Sequence, residues 1–464
     1  MKILLMLLLL VPQFANAEKI YIKVGNASVK KSMFALPAFQ FSGSTVSSPN
    51  YVRVGSELYK TLQNDLDTSY FFDFVDRKAF LEDPATTALR PKPSAPNGFL
   101  FSNWRSIGTE FLYRAAYNIK SNKIEVEAYL YHVPKGETLV ARKYTGDVGS
   151  EDEIAHTMAN DIIFRLTGRK GVFKTKLVFS SDRDAVCPKK TPNCTKWKEI
   201  YVSDYNVKNV TRITRQRTIS ISPAWAPDGK SILYTSYAYH PKTKRRNPDL
   251  FSYELDTKKS FLISWRKGVN SGAAFTPDGD NIFLTITKGG NADIYRTDKD
   301  GKKLRNITNG PLGALNVEPA ISPDGKSIAF SSDRHGNPMI YVMDINGKNV
   351  KRITKAGKYN STPSWSPDGE NIVFAGFDNG HFDLFLVSKD GVNLKRLTKA
   401  RKTNGKWANN EDPSFSPDGR HIVFVSDRSG KKQLYMISPD GKNERRLTFD
   451  NDNYFKPKWS YMME

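Results

Sequence analysis

Cysteine and histidine are scarce in this 464-residue chain, and their scarcity narrows the chemistry available to it. The two cysteines, Cys187 and Cys194, lie together in the segment CPKKTPNC, and the six histidines are scattered singly along the sequence. No metal-like cysteine pair, H-E-x-x-H spacing, phosphate-binding loop or G-x-S-x-G nucleophile turn occurs. The sequence therefore predicts that the protein is not an enzyme, with no cofactor and no metal.

Long hydrophobic runs are missing after the first residues. Lys2, the run ILLMLLLLV and the triplet Ala15-Asn16-Ala17 predict a cleaved signal peptide over residues 1–17 and a mature chain from Glu18. No later run could cross a bilayer, and no cysteine follows the signal, so neither a membrane span nor a lipoprotein anchor is expected. In an oxidising compartment Cys187 and Cys194 are disulfide candidates, with two free thiols as the alternative.

Acidic residues are fewer than basic ones. The chain has 70 Lys and Arg residues and 48 Asp and Glu residues, which gives a net charge of +22. Such an excess favours anionic partners in general. Export argues against nucleic acid as the partner. Part of the excess falls on basic pairs such as Lys351-Arg352 and Lys395-Arg396, which we place on exposed edge strands, where charge resists sheet-to-sheet aggregation.

A phrase centred on Pro-Asp-Gly occurs five times, between two short apolar runs rich in Ile, Val and Phe. Its prolines are Pro227, Pro277, Pro323, Pro367 and Pro417. A Pro-Asp-Gly turn between such runs predicts a hairpin, and a period in the forties with several strands per unit is typical of propeller blades. A sixth unit, over LVFSSD, EIYVSD and TRIT, lacks an innermost strand, which the terminal PKWSY can supply. We predict a six-bladed all-β propeller over residues 172–464, closed by the C-terminal strand; an open array of repeats is the alternative.

Residues 18–168 lack the repeat and mix two kinds of periodicity. KIYIKV alternates like a strand, YVRVGSELYKTLQNDL has helical spacing, and three later runs indicate an antiparallel meander. An acidic-started helix then ends at Gly168. We predict a small N-terminal α/β domain, with a Pro-rich surface loop from Pro84 to Gly98 and a hinge from Gly168 to Gly171.

Several of these segments together resemble the TolB family of the Tol-Pal cell-envelope system of Gram-negative bacteria. They are the opening KIYIKVGNASVKKSMFALPAFQFSG, the NWRSIG of residues 103–108, the junction HTMANDIIFRLTGRKGVFKTKLVF of residues 156–179, and the SPDG-type repeat. The resemblance covers essentially the whole mature chain. It implies a periplasmic adaptor that supports outer-membrane integrity and constriction during cell division.

The resemblance also implies two partner sites and allows contacts with other outer-membrane proteins. The peptidoglycan-associated lipoprotein Pal would bind loops between the outer strand of one blade and the inner strand of the next. The candidate residues are Val269, Asn270, Ser271, Gly272, Val317, Glu318, Asn360, Ser361, Glu411 and Asp412. TolA would bind the mature N-terminus by strand addition. That segment consists of Glu18, Lys19, Ile20, Tyr21, Ile22, Lys23 and Val24. A strand docked on its own domain is the alternative for this segment.

Two other functions stay open from the residues alone. One is an exported propeller that binds a glycan or peptide in its central channel. The other is carbohydrate hydrolysis by paired carboxylates, because a sequence does not give the separation of two carboxyl groups.

Overall fold

The computed structural model describes residues 21–22, 30–43, 49–186, 196–242, 244–288, 290–308 and 310–462. The predicted signal peptide, the cysteines Cys187 and Cys194, and Glu18, Lys19, Ile20, Lys23 and Val24 of the predicted TolA segment lie outside these ranges. The chain divides into two compact units between Gly171 and Val172.

The first unit is an α/β domain built on one mixed sheet. Its elements in chain order are β1 (Ser32–Ala35), β2 (Gln40–Phe41), α1 (Pro49–Thr68), β3 (Phe72–Phe74), β4 (Ala88–Pro91), β5 (Gly98–Phe99), α2 (Phe101–Ser106), β6 (Phe111–Lys120), β7 (Lys123–His132), β8 (Glu137–Asp147) and α3 (Glu151–Thr167). The sheet order is β3-β1-β6-β7-β8, with β2 also paired to β6. The β6-β7-β8 meander is antiparallel, as predicted, whereas β1 pairs in parallel with both β3 and β6.

The two long helices pack on each other through faces that repeat every four residues. In α1 the buried series is Val54, Leu58, Leu62 and Leu66, and in α3 it is Ile154, Met158, Ile162 and Leu166. Spacing of this kind puts one apolar side chain per turn on the same helix face. The helix α3 ends where Gly168 adopts a left-handed backbone with φ of 71°, which glycine does without steric cost.

The Pro-rich segment from Pro84 to Gly98 is more ordered than the predicted surface loop. It contains β4, which pairs with β5. The first residues of the segment are hydrogen-bonded to the buried Arg114. The Arg114 guanidinium donates to the carbonyl oxygens of Pro84 and Thr87, each at 2.9 Å. Burial lowers the pKa of Arg114 to about 10. Sequence reasoning missed this contact because Arg114 sits in an apolar strand far along the chain from its partners.

The second unit contains six four-stranded antiparallel sheets and one inserted two-stranded sheet. Blade 1 contains β9 (Lys176–Ser181), β10 (Glu199–Asp204) and β11 (Thr211–Arg212). Blade 2 contains β12 (Ser220–Trp225), β13 (Ser231–Ser236), an inserted hairpin of β14 (Tyr239–His240) and β15 (Arg245–Arg246), then β16 (Asp249–Glu254) and β17 (Lys259–Ser264). Blade 3 contains β18 (Asn270–Phe275), β19 (Asn281–Lys288), β20 (Asn291–Asp298) and β21 (Arg305–Asn306).

The remaining strands complete the ring. Blade 4 contains β22 (Asn316–Ile321), β23 (Ser327–Ser332), β24 (Met339–Asp344) and β25 (Lys351–Arg352). Blade 5 contains β26 (Tyr359–Trp365), β27 (Asn371–Asp378), β28 (His381–Ser388) and β29 (Lys395–Arg396). Blade 6 contains β30 (Asn410–Phe415), β31 (Ile422–Ser426), β32 (Gln433–Ile437) and β33 (Arg445–Arg446). The last strand, β34 (Tyr454–Trp459), pairs with β9 of blade 1.

This topology confirms the six-bladed propeller closed by the C-terminal strand. The order β11-β10-β9-β34 shows that the end of the chain supplies the innermost strand of blade 1. The predicted basic pairs also fall on outermost strands, since β25 and β29 consist of Lys351–Arg352 and Lys395–Arg396. In five blades the outer strand is only two residues long, whereas β17 of blade 2 has six, so most of the ring exposes little free sheet edge.

The recurring Ser-Pro-Asp-Gly phrase is explained by the hydrogen bonds of its turn. In blade 6 the Ser416 hydroxyl donates to the Asp418 carboxylate at 2.5 Å, and the Gly419 amide donates to the Ser416 carbonyl at 3.0 Å. Asp418 also accepts the Arg420 amide at 3.0 Å, while Gly419 has φ of 72°. Serine, aspartate and glycine thus each satisfy one requirement of the same hairpin.

His421, which follows this turn, predicts an acid-sensitive step in stability. It is 1% exposed, and burial lowers its pKa from 6.5 to about 4. Between these values the unfolded chain binds the extra proton, so folding weakens as the pH falls. We expect this residue to remove about 2 kcal/mol of unfolding free energy between pH 7 and pH 5. Urea titrations of the native chain and of a His421→Phe variant, which keeps an aromatic ring against Trp459, measure the difference. Identical pH dependence in the two proteins would contradict the assignment.

Candidate functional site

The innermost strand of every blade breaks its pairing at one position. The register shifts at Ile221/Ala224, Ser271/Ala274, Val317/Ala320, Ser361/Ser364, Glu411/Ser414 and Phe455/Lys458. In five blades the second skipped residue is a proline, which has no amide hydrogen to donate. The residue before it adopts a left-handed backbone, with φ between 48° and 61°. Each bulge redirects its side chains relative to a regular strand.

The six left-handed residues form a ring around the propeller axis, one from each blade. In order from blade 2 to blade 1 they are Ser222, Gly272, Glu318, Thr362, Asp412 and Lys456. All six line a central cavity of about 580 Å³, together with the inner strands and the Pro-Asp-Gly prolines. We call these six residues the bulge ring.

Three charged members of the bulge ring meet inside the channel. The Lys456 ammonium lies 2.8 Å from the Glu318 carboxylate and 2.9 Å from the Asp412 carboxylate. Lys456 belongs to blade 1 and Glu318 to blade 4, so the contact joins opposite sides of a six-membered ring. The Thr362 amide donates to the second Glu318 oxygen at 2.8 Å. The charged residues therefore form a bridge across the channel.

The charges of this bridge stabilise one another. Burial alone would lower the pKa of Lys456, but Asp412 and Glu318 outweigh it and raise that pKa above its ordinary value. Burial likewise acts to raise the pKa of Asp412, and Lys456 reverses this, so the pKa of Asp412 is lowered. Nearby, burial and the Lys456 charge lower the pKa of Lys458. The ammonium of the bridge thus stays charged throughout the neutral range.

The predicted lipoprotein-binding residues lie on strands rather than on the predicted loops. Except for Val269, they occupy the first residues of β18, β22, β26 and β30. The prediction was wrong here because the inner strands begin several residues before the Pro-Asp-Gly turn and continue through the bulge. The structure brings Glu318 and Asp412 together through Lys456, while Glu411 pairs with Lys432 at 2.7 Å.

Three of the predicted residues are buried, namely Asn270, Asn360 and Ser361, which is 8% exposed, and the structure contradicts them as surface contacts. Asn270 is 0% exposed and Asn360 is 2% exposed. The Asn270 side chain accepts the Ser264 hydroxyl at 2.6 Å, and the Asn360 amide donates to the Thr354 hydroxyl at 2.9 Å. Ser264 ends the outer strand of the preceding blade, and Thr354 lies two residues after such a strand. These asparagines therefore fasten neighbouring blades to each other.

Sequence reasoning missed other residues at the same end of the propeller. Lys456 was identifiable, because it precedes a proline at the repeat position of Glu318 and Asp412. Leu312, Leu315 and Tyr359 are 94%, 43% and 41% exposed and precede or begin inner strands. Their signal is weak, since a leucine or tyrosine beside a glycine-rich loop has no distinctive spacing. We call this end of the propeller, where the inner strands start, the strand-start face.

Of the predicted TolA segment, the structure describes Tyr21 and Ile22. Neither is in a strand, in contrast to the prediction for KIYIKV. Both backbone amides donate to the Leu166 carbonyl near the end of α3, at 3.0 and 2.9 Å. The Tyr21 hydroxyl donates to Glu137 at 3.1 Å. A single carbonyl near the helix end thus accepts both amides, in place of the hydrogen bonds of a strand ladder.

The described residues show neither a metal-binding cluster nor a membrane-spanning helix. Within those ranges no group of three or more His, Cys, Asp or Glu side chains is arranged to hold a metal ion. The helices described there are too short or too polar to cross a membrane.

Comparison with known proteins agrees with the fold on both sides of residue 171. A family model described as the TolB beta propeller domain matches residues 164–410 and 360–463, and one described as the TolB amino-terminal domain matches residues 20–139. The Acinetobacter baumannii TolB crystal structure superposes with a TM-score of 0.73 over 96% of this chain and 100% of its own, at 23% identity. That likeness shows the shared fold.

Curated relatives carry the same name. The Tol-Pal system protein TolB of Desulfosudis oleivorans is 30% identical over 306 residues, which cover 66% of this chain and 64% of that protein. The Tol-Pal system protein TolB of Geobacter metallireducens is 34% identical over 226 residues, covering 49% of this chain and 47% of that protein. The match thus spans less than two thirds of either relative. Because the propeller model alone matches more than half of the chain, the protein belongs to the TolB family.

Proposed function

We propose that this protein is a periplasmic adaptor of the Tol-Pal system, without enzymatic activity. It binds the peptidoglycan-associated lipoprotein Pal through the strand-start face and TolA through its mature N-terminus. In this role it supports outer-membrane integrity and constriction during cell division. The names of its relatives and the predicted signal peptide support the cellular setting. The observation that carries the lipoprotein site is the strand-start face itself.

That face combines a charged centre with exposed apolar residues around it. Protein interfaces are distinguished by such apolar anchors rather than by overall hydrophobicity. Leu312 exposes 94% of its surface and Tyr359 exposes 41%. At the centre, the Glu318 and Asp412 carboxylates share the Lys456 ammonium. A partner therefore meets a preformed surface, which lowers the cost of ordering side chains on binding.

The N-terminal partner site involves a competition. Tyr21 and Ile22 donate their amides to Leu166, so a partner that pairs with this segment has to replace those bonds. Strand addition supplies backbone hydrogen bonds of the same kind. TolA thus engages the segment by exchanging one set of backbone partners for another.

Calorimetric titration with the soluble domain of the same organism's lipoprotein tests the propeller site. We expect a Ser271→Arg, Leu312→Asp variant to bind at least about tenfold more weakly, because a bulky cation and a buried charge oppose a packed interface. Val392→Asp is the matched control, since Val392 is 54% exposed at the opposite end of its blade.

The outcomes separate the possibilities. Native affinity in the control and loss in the double variant support the strand-start face. Equal affinity in all three proteins places the lipoprotein elsewhere, and no complex with the native chain overturns the adaptor proposal.

The central cavity favours one second candidate, a channel that binds a glycan or peptide. Its volume of about 580 Å³ suits a small ligand, and the charged bridge supplies polar groups. Such a ligand would raise the unfolding temperature, because its binding stabilises the folded chain by an amount that grows with the logarithm of its concentration above the dissociation constant. A panel of envelope glycans and short peptides that leaves the unfolding temperature unchanged would remove this candidate.

A further inference from the structure

Blade 2 carries an addition that none of the other described blades has. Between its second and third strands the chain forms the two-stranded sheet β14–β15, paired through Tyr239 with Arg246 and His240 with Arg245. The other blades connect these strands without an inserted sheet in the described ranges. Because the second strand of a blade ends where the first begins, the hairpin projects from the strand-start face.

The hairpin is densely basic and exposed. Its sequence from Tyr237 to Pro248 is YAYHPKTKRRNP, with four cations and no acid. Lys242, Lys244, Arg245 and Arg246 are all exposed. The adjoining loop adds Arg266 and Lys267, which Gly268 separates from the predicted partner residue Val269. We call Lys242, Lys244, Arg245, Arg246, Arg266 and Lys267 the basic hairpin patch.

Three cations of this patch contact Trp265. The Lys242 ammonium sits 4.0 Å from the centre of the Trp265 ring, and the Arg266 guanidinium carbon lies 5.0 Å from it. Arg245 donates to the Trp265 carbonyl at 2.8 Å. Cation–π contact and hydrogen bonding thus hold three cations close together despite their repulsion.

Five of the six cations in the patch have no acidic partner among the described residues, whereas Arg245 interacts electrostatically with the buried Asp249. Among the described residues, Lys242, Lys244, Arg246, Arg266 and Lys267 form no salt bridge. The nearest acid in sequence, Asp249, is 0% exposed and hydrogen-bonds to Asn247 at 2.5 Å. An unneutralised cluster at this density attracts an anionic partner.

Two exposed aromatic residues flank the cations. Tyr237 is 38% exposed and Tyr239 is 56% exposed. Tyrosine is favoured at membrane–water boundaries, where its ring faces apolar chains and its hydroxyl stays in water. Polybasic segments bind anionic lipid head groups. Each Lys or Arg near the surface increases the binding affinity about fivefold.

From this arrangement we propose that the basic hairpin patch docks on the surface of an anionic lipid bilayer. Long cationic side chains on a projecting hairpin respond to a continuous charge density, which a bilayer presents. Export removes nucleic acid as the working partner, and the tyrosines add contacts that a dissolved polyanion does not require. The proposal goes beyond the adaptor function and does not depend on either protein partner.

Vesicle co-sedimentation of the chain from Glu18 to Glu464 tests it. The probes are vesicles of phosphatidylethanolamine and phosphatidylglycerol at 3:1 and vesicles of phosphatidylcholine alone. The patch variant is Lys242→Gln, Lys244→Gln, Arg246→Gln and Lys267→Gln, which keeps Arg245 and Arg266, two of the three cations that contact Trp265. The control variant removes the same charge at the opposite ends of blades 2 and 3, through Lys258→Gln, Lys259→Gln, Lys299→Gln and Lys303→Gln.

We expect the native chain and the control to bind anionic vesicles and not phosphatidylcholine, with the patch variant at least about a hundredfold weaker. A Tyr237→Ser, Tyr239→Ser variant should also bind more weakly at a salt concentration that screens the charges. Equal losses in the patch and control variants would show that only the net charge matters and overturn the proposal. It is also overturned if anionic vesicles do not bind, or if soluble polyglutamate binds the patch as strongly as the vesicles do.

Discussion

A chain that ends at Asn453, before β34, is expected to accumulate as aggregated protein rather than as a soluble propeller. Without β34, the strand β9 presents an unpaired inner edge, and exposed edges associate with other chains. The truncation also removes Trp459, which is 6% exposed and donates from its ring nitrogen to the Thr175 hydroxyl at 2.7 Å. Loss of a buried tryptophan alone costs about 3–5 kcal/mol, comparable to much of a domain's stability.

The soluble fraction and gel-filtration profile of the expressed protein measure this effect. A chain shortened by Met463 and Glu464 alone is the control, because it keeps β34 intact. A synthetic peptide spanning residues 453–462, added during refolding, should restore soluble protein by pairing with β9. A soluble, monomeric product from the long truncation would refute the role of β34 in closing the ring.

Replacing Lys456 with methionine is expected to lower the free energy of unfolding by about 3 kcal/mol at pH 7. Methionine keeps the length of the side chain but leaves the Glu318 and Asp412 carboxylates facing one another without their shared cation. Repulsion raises the carboxyl pKa values of the folded variant, so protonation relieves it. The deficit relative to the native chain should therefore shrink as the pH falls towards 4.

Urea denaturation at pH 7 and pH 4.5 measures the deficit of this variant. The triple variant Lys456→Met, Glu318→Gln, Asp412→Asn supplies the control, because it removes all three charges and keeps the side chains close in size. It should recover most of the lost stability at pH 7. A deficit that is the same at both pH values would mean that the bridge contributes through packing and not through charge.

How much of the fold could be predicted depended on how far apart in the sequence the interacting residues lie. Ser416, Asp418 and Gly419 satisfy one another within four residues, so the hairpins were evident from the sequence. The terminal PKWSY was also predictable as the innermost strand of blade 1, because it repeats the inner-strand phrase of the other blades. The helices α1 and α3 were equally clear from their spacing. By contrast, the Tyr21–Ile22 segment alternates like a strand, yet in the tertiary structure it bonds to a helix end.

The candidate site was predictable only in part, because its chemistry depends on residues far apart in the chain. Glu318 and Asp412 were selected from their repeat positions, but the contact between Lys456 and Glu318 spans 138 residues. Asn270 and Asn360 occupy similar repeat positions, but they are buried and hydrogen-bond to residues of the preceding blade. Local sequence does not distinguish a polar residue that points along the channel from one that points into the neighbouring blade.

By itself, then, the sequence determined the number of blades, the turns between their strands, the closure of the ring and the membership of the family. These features depend on local turn chemistry and on a repeat that brings each unit to the same conformation. Only the tertiary structure decided that three charges bridge the channel and that a basic hairpin is gathered around Trp265. Closing a ring places residues side by side that are separated by many turns of sequence, and a bulge of one residue reverses which way a side chain faces.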